Sequence, residues 1–317
     1  MKHLLLTSLL VLASISNVSA LTLPMPDRPT DGVVGSPPHQ AKYVNARYED
    51  TLIDIAVAHH LGQDEIVLAN PTVDRWLPGA GTPVRIPTSF VLPNAPRKGI
   101  VVNLPEMRIY YYPNASQVVT YAVGIGRVDW KTPLGVTKIA GKMENPSWTP
   151  PKSIIAEHLA EGDVLDPYYP PGPDNPLGLF AFRLSIPGYL IHSTQKTLGI
   201  GMRVSHGCMR MYPADIEQFF PTVPTGTTVN LVNQSIKLGW YHDTLYMEVY
   251  PEMEESPATY EQRLHIALNL IEQANGGQMP VIKGSVLKLA LEKPTGIPVA
   301  VYERPASSTS TAQTTQN

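Results

Sequence analysis

Between residues 97 and 233 the apolar positions fall in short β-branched and aromatic runs with turn residues between them. The runs are Ile100–Leu104, Arg108–Tyr112, Val118–Val123, Gly135–Ala140, Leu179–Leu184, Tyr189–His192 and Thr227–Val232. Runs of this length predict strands, and Pro113–Asn114 marks a turn between two of them. Many short strands at close intervals predict a mainly β domain, a sandwich or barrel-like body. Only Ala214 to Phe220 reads as helix there. The stretch from Asn145 to Pro176 is dense in Pro and Gly and too long for a simple connection, which points to a lid or binding loop.

Residues 40–88 follow a different rhythm. Asp50–Thr51 caps a helix whose Leu52, Ile55 and Ala56 share a face, and Gly62 stops it. A second short helix runs from Asp64 to Asn70 and Pro71 ends it. With strands at Tyr43–Val44 and Pro83–Pro87, the order is β-α-α-β, a small α+β unit, and His59 and His60 read as solvent-side helix residues. Downstream, 234–305 is a small mixed region of unknown role. It has a strand at Thr244–Tyr250, a helix capped by Ser256–Pro257 and carrying Tyr260, Leu264, Ala267, Leu268 and Ile271, and a second helix at Ser285–Leu291. The tail 306–317 is Ser, Thr and Gln without an apolar anchor and is expected to be disordered.

At the other end, Met1-Lys2-His3, an uncharged Leu4–Ile15 and the small residues Val18-Ser19-Ala20 compose a secretory signal over 1–20, cleaved after Ala20. The apolar run falls short of the roughly 20 residues a spanning helix needs, and no later run is longer, so no membrane span is expected. The proline-rich segment 21–39 reads as an extended linker.

Composition narrows the chemistry. The 317 residues include only 16% charged ones, against an average of about 25%, and 32 prolines, which describes a globular chain heavily punctuated by turns. With 24 Lys+Arg against 27 Asp+Glu, the net charge of −3 gives no sign of a nucleic-acid or anionic-membrane partner. The single cysteine, Cys208, excludes an intramolecular disulfide, a multi-cysteine zinc site and a Cys-x-x-Cys pair.

An exported chain seldom keeps a lone thiol without a use for it. Cys208 sits in Ser205-His206-Gly207-Cys208-Met209-Arg210, and His192 precedes it by 16 residues. A neighbouring imidazole can turn a thiol into a nucleophile, and Cys208 is expected as a thiolate. On an extended strand His206 would share the face of Cys208, while His192 ends a separate strand that can fold back beside it. Gly207 clears space beside the sulfur and leaves backbone N–H groups for an oxyanion, and Arg210 can grip a carboxylate. His192, His206 and Cys208 could instead supply three zinc ligands. The motif carries no carboxylate to act as general base, so no metal and no cofactor are expected.

Two resemblances follow from these residues. Tyr43-Val44, Asp50-Thr51-Leu52, Ile55-Ala56, Asn70-Pro71, Leu77-Pro78-Gly79 and Ile86-Pro87 resemble the LysM module, with a departure at Glu49 where that family usually has Gly. This implies binding to peptidoglycan glycan over 40–88. Residues 97–233 resemble the YkuD-type L,D-transpeptidase catalytic domain through His192, the Ser205-His206-Gly207-Cys208 run, Arg210 and the Thr132-Pro133-Leu134-Gly135 turn. The LysM-like unit and the Asn145-Pro146-Ser147-Trp148 and Gly172-Pro173-Asp174-Asn175-Pro176 segments are similar to the Gram-negative periplasmic branch.

The second resemblance implies that Cys208 is the nucleophile, that His192 is the proton donor and acceptor, and that Ser193 orients His192. It implies further that His206 and Gly207 shape the oxyanion site, and that Arg210, Ser205 and Trp148 bind substrate. The implied substrates are peptidoglycan stem peptides, with a diaminopimelate amine or an outer-membrane lipoprotein lysine as acyl acceptor. Water as acceptor would make the protein an L,D-carboxypeptidase, and loss of catalysis would leave a wall-binding protein.

Overall fold

The apolar runs of the central region pair edge to edge. In the computed structural model, which describes residues 21–305, they build one sheet of nine strands. The expected signal segment 1–20 and the tail 306–317 lie outside the described residues. In chain order the described strands and helices begin with β1 (Leu21–Pro24), β2 (Val33–Gly35), β3 (Lys42–Asn45), α1 (Leu52–Ala58), α2 (Gln63–Ala69), β4 (Pro83–Ile86) and β5 (Ser89–Val91). The central region contributes β6 (Gly99–Asn103), β7 (Arg108–Asn114), β8 (Gln117–Ala122), β9 (Ile125–Gly126), β10 (Gly135–Glu144), α3 (Lys152–Ala160), β11 (Phe180–Leu184), β12 (Leu190–His192), β13 (Arg203–Ser205), β14 (Met209–Arg210), α4 (Pro213–Thr222) and β15 (Thr228–Val232). The remainder are β16 (Ile236–Tyr241), β17 (Thr244–Val249), α5 (Tyr260–Ala274), α6 (Gly284–Glu292) and β18 (Val299–Glu303).

The large sheet runs β1-β8-β7-β6-β15-β10-β11-β12-β14, so the architecture is mainly β as expected. At its centre β6 buries Ile100, Val101 and Val102 in succession, because both faces of the sheet are covered there. Ile100, Val102 and Ile109 bury on one face with Phe182, Ile191 and Met209, beneath Ile216 and Phe219 of α4. The Phe219 ring sits 5.3 Å from Tyr111 and 5.4 Å from Phe182. The alternate residues Val101, Tyr110 and Tyr112 bury on the other face against Val34, Phe90 and Leu92. That second face explains a correction. The segment 21–39, expected as a linker, supplies β1, which pairs with β8, and β2, which pairs with β5 and helps to cover the sheet.

Other expectations also change. β7 continues through Pro113 to Asn114 by an irregularity in its pairing with β8, and the turn falls at Ala115–Ser116. The long Pro/Gly-rich segment contains a helix, α3. The N-cap of α5 is Thr259, whose side chain accepts from Gln262 N–H in a reciprocal capping box, rather than Ser256–Pro257. The C-terminal region adds β16 and β18 to the expected β17, forming a three-stranded sheet under α5 and α6 with Trp240, Leu245, Ile271 and Leu291 in its core.

Residues 40–88 have the expected β-α-α-β order, with β3 and β4 antiparallel and Thr51 capping α1. This unit packs directly on the central region. Gln63 N–H donates to the Ile200 carbonyl at 3.0 Å, and Tyr212 Oη donates to the Leu61 carbonyl at 3.0 Å. Glu65 on α2 forms a buried ion pair with Arg108 on β7. His60 is buried, against the expectation of a solvent-side residue, and its Nδ1 lies 2.5 Å from Asp215 Oδ1 on α4. Gly201 has φ +75°, and a Cβ there would stand 2.2 Å from Gly62 Cα, so the close approach of unit and sheet depends on it. The C-terminal region is fastened by Lys237, whose buried ammonium meets Glu106 at 2.7 Å, Glu248 at 2.8 Å and the Val91 carbonyl at 2.7 Å.

Candidate active site

β12 and β14 lie side by side in parallel, with Ile191 opposite Met209 and His192 opposite Arg210. Parallel neighbours need a crossover, and residues 193–208 supply it through a short 3-10 turn at Thr197–Gly199 and β13. By the same register Cys208 falls beside Leu190. Alternation then sends the side chains of His192, Cys208 and Arg210 from one face.

The turn into β14 is built by small polar groups. Ser205 Oγ donates to the Cys208 carbonyl at 2.5 Å and accepts the Gly207 N–H at 3.1 Å. Thr132 Oγ1 donates to the Gly207 carbonyl at 2.9 Å and accepts the Gly126 N–H at 3.0 Å. Gly207 itself has φ +98°, and a Cβ would meet Tyr189 Cε1 at 2.8 Å. Ser205 is buried, and its hydroxyl is engaged within the turn.

The left-handed turn at Gly207 also separates His206 from Cys208, which are not on one extended strand. His206 Nε2 lies 3.1 Å from Glu157 Oε2 on α3, and its ring stacks edgewise on Trp130 at 5.0 Å. Glu157 also accepts from Arg127. α3 and the segment around it thus form a flap pinned to the Ser205–Cys208 turn. Trp148 stands within that flap, where its backbone exchanges two hydrogen bonds with Tyr169, 2.8 and 2.7 Å long, and the two rings stack at 5.4 Å. Asn175 Nδ2 closes the flap's base by donating to the Pro146, Tyr169 and Pro170 carbonyls at 2.8, 3.2 and 3.0 Å.

His192 is 4% exposed, and its Nδ1 lies 2.5 Å from the Ser193 carbonyl. A carbonyl only accepts, so in the neutral ring Nδ1 carries the proton and Nε2 is bare. Burial, and then the Arg210 charge, bring His192 down to about 4, against the opposing pull of the Ser193 and Leu177 carbonyls. Cys208 Sγ accepts the Leu190 N–H at 3.3 Å and faces the Gly188 carbonyl at 3.6 Å. Burial pushes the thiol up, and the Leu190 N–H and Arg210 only partly offset it. At neutral pH the resting pair is thus thiol and neutral imidazole rather than the expected thiolate.

Arg210 is half-buried, and its Nε has no hydrogen-bond partner. Its backbone is fixed by a reciprocal pair of 2.9 Å bonds with Gly124. A desolvated guanidinium with open donors can receive a carboxylate. Among the described residues, no group of three or more His, Cys, Asp or Glu is placed to hold a metal ion.

Sequence reasoning missed Glu157 and Trp130, which hold His206, and Leu190 and Gly188, whose backbone flanks the sulfur. It noted Thr132 only as part of a turn. None of these has a local signal except Thr132, whose Thr-Pro-x-Gly setting did mark a turn.

A family model described as the L,D-transpeptidase catalytic domain, YkuD, matches residues 97–231. The probable L,D-transpeptidase YbiS of Escherichia coli K12 is 36% identical over 306 residues, covering 94% of this chain and 98% of that protein. The probable L,D-transpeptidase YcfS of the same organism is 39% identical over 259 residues, covering 80% of this chain and 81% of its own. A third, the probable L,D-transpeptidase ErfK/SrfK, is 35% identical over 280 residues, covering 84% and 89%.

Proposed function

The chain belongs to the YkuD L,D-transpeptidase family, and from that premise we propose how its residues carry out transfer between peptidoglycan stem peptides. His192 Nε2 takes the Cys208 proton as the sulfur attacks the carbonyl of the third stem residue, diaminopimelate. The oxyanion is met by the Cys208 amide, whose direction the Ser205–Gly207–Thr132 bonds set. On collapse the C–N bond to the terminal D-Ala breaks, His192 returns its proton to the leaving amine, and a thioester remains on Cys208. An acceptor amine then attacks the thioester, His192 takes the amine's proton, and the thiol is restored. Arg210 holds a carboxylate of the donor stem.

The observation that carries this reading is the parallel register of β12 and β14, which sets a tautomer-fixed, uncharged His192 and an unpartnered guanidinium on the face of Cys208. A transferase must keep water from its thioester, and the flap pinned by Glu157 serves that end, favouring an amine acceptor over water. The acceptor is a second diaminopimelate or a lipoprotein lysine. The β-α-α-β unit binds the glycan, and the enzyme works in the periplasm after export. No helix among the described residues is long and apolar enough to cross a membrane.

The test is incubation with tetrapeptide-rich sacculi, with and without a lysine-terminated lipoprotein peptide, followed by muropeptide analysis. Cross-linked or peptide-bearing products, lost in Cys208→Ala, are expected. Tripeptide as the sole product would mean a carboxypeptidase. No product, together with no carbapenem adduct on Cys208, would mean a wall-binding protein.

A further inference from the structure

After β17 the chain leaves the C-terminal sheet and returns to the central region before α5 begins. Met253 is buried in the hydrophobic core of that region. Ser256 N–H closes a turn on the Met253 carbonyl at 2.9 Å, and Asn233 Nδ2, just past β15, donates to Ser256 Oγ at 3.0 Å. The turn so anchored presents Glu255 to Arg203 on β13, 2.8 Å away. The two side chains are only 14% and 15% exposed, so water screens this pair less than it would a surface pair.

Arg203 stands on the last strand of the crossover before Cys208, and its Nε donates to the Gly126 carbonyl at 3.3 Å. Gly126 belongs to β9, and both arms of the Cys208 turn are tied to that short strand and its neighbours. On the way in, Arg127 N–H donates to the Ser205 carbonyl at 3.0 Å; on the way out, Gly124 exchanges its two bonds with Arg210. A Cβ on Gly126 would stand 2.9 Å from Gly207 Cα, so the two peptides lie in contact. Gly126 N–H also donates to Thr132 Oγ1, the hydroxyl that holds the Gly207 carbonyl. A continuous series of contacts thus runs from Glu255 through Arg203 and Gly126 to the turn that carries Cys208. Glu255 is the one carboxylate paired with Arg203 among the described residues, and Arg203 Nη1 is buried without an acceptor. Without Glu255 the guanidinium would be a largely desolvated charge held by a single carbonyl, and it would gain by leaving Gly126 for water.

We propose that Glu255 is a positioning residue for the transfer reaction, and that through it the C-terminal region takes part in catalysis. By holding Arg203 against Gly126, it keeps the Gly207–Cys208 turn in the geometry in which the sulfur and the Cys208 amide act together on one carbonyl. Glu255 touches no substrate and works only through Arg203. The proposal rests on Cys208 as the nucleophile.

The experiment follows acylation of the full mature chain by a carbapenem as a function of its concentration, with iodoacetamide alkylation of Cys208 measured alongside. Glu255→Gln should lower the maximal acylation rate by about tenfold to a hundredfold and leave the half-saturating concentration in place, because alignment is lost and binding is not. Alkylation needs the thiol but no oxyanion site, and it should stay within about twofold. Local unfolding would instead speed it by uncovering the sulfur. Arg203→Gln should lose at least as much as Glu255→Gln, and the double variant no more than Arg203→Gln alone, since the carboxylate works through the guanidinium. Glu254→Gln removes the neighbouring exposed charge and should change nothing. An unchanged maximal rate in Glu255→Gln, losses that add in the double variant, or alkylation that rises as acylation falls would each overturn the proposal. A wild type that forms no adduct on Cys208 would overturn the reading of the nucleophile, and this proposal with it.

Discussion

If the resting enzyme holds a neutral thiol and a neutral imidazole, alkylation of Cys208 must report it. The perturbations are pH and Arg210→Gln. A free thiol with its ordinary pKa near 8.5 is only about 3% thiolate at pH 7, and burial sets Cys208 below even that fraction. With His192 at about 4, the two groups stand more than four pH units apart. At 1.36 kcal/mol per unit, moving the proton within the resting pair costs roughly 6 kcal/mol before the attraction between the resulting thiolate and imidazolium is set against it. A carboxylate docking on Arg210 would raise His192, but it would raise the thiol as well, so the gap barely closes. Proton transfer must then accompany C–S bond formation rather than precede it.

The assay is the rate of iodoacetamide addition between pH 5 and 10, read by intact mass, and one cysteine in the chain makes the adduct unambiguous. The rate should climb about tenfold per pH unit through pH 8.5, with no plateau below pH 7. In Arg210→Gln the curve should move to higher pH, because the charge that favours the thiolate is gone. His192, relieved of the same charge, should titrate nearer its ordinary value by NMR. A flat rate between pH 5 and 8 would mean a thiolate–imidazolium pair and refute the reasoning.

Three further outcomes follow from other contacts. Glu157→Gln weakens the hold of α3 on Arg127 and His206, so the ratio of hydrolysed to transferred product should rise severalfold; an unchanged ratio would deny the flap its role. Gly207→Ala places a side chain at φ +98° and against Tyr189, which should cost about 1–3 kcal/mol of stability and at least a hundredfold in acylation rate, measured by urea melts and carbapenem adduct formation. Burial lifts Glu248 from 4.5 to about 7, so its contribution to stability is whole below pH 4.5 and is lost as pH rises from there through 7. Wild type should lose stability between pH 4.5 and about 7, and Glu248→Gln should flatten that slope in urea midpoints; an equal slope in both would contradict the assignment.

The strands of the central region and the β-α-α-β unit were legible because their determinants are local. Runs such as Ile100–Leu104 and caps such as Thr51 carry their own structural instruction, and most boundaries fell within a residue or two, although the strand expected to end at Ala140 runs on to Glu144. The motif likewise exposed Cys208, His192 and Arg210, since a lone thiol in an exported chain is conspicuous before any fold is known. Ser193 could be assigned through its carbonyl because it is adjacent to His192 in the chain.

What stayed hidden depends on partners far away along the chain. Residues 21–39 look like a linker until a sheet face needs covering, and then Val34 becomes part of a core with Phe90 and Tyr110. His60 looks solvent-side until Asp215 arrives from 155 residues downstream. His206 is the sharpest case. Two residues before Cys208 on a strand, it would share the nucleophile's face. The single positive φ at Gly207 redirects it to Glu157, 49 residues upstream in the flap. The same glycine that leaves room beside the sulfur is thus the one that turns the second histidine toward the flap. In the proposed mechanism the acid–base work then falls to His192, whose tautomer the neighbouring carbonyl has already chosen.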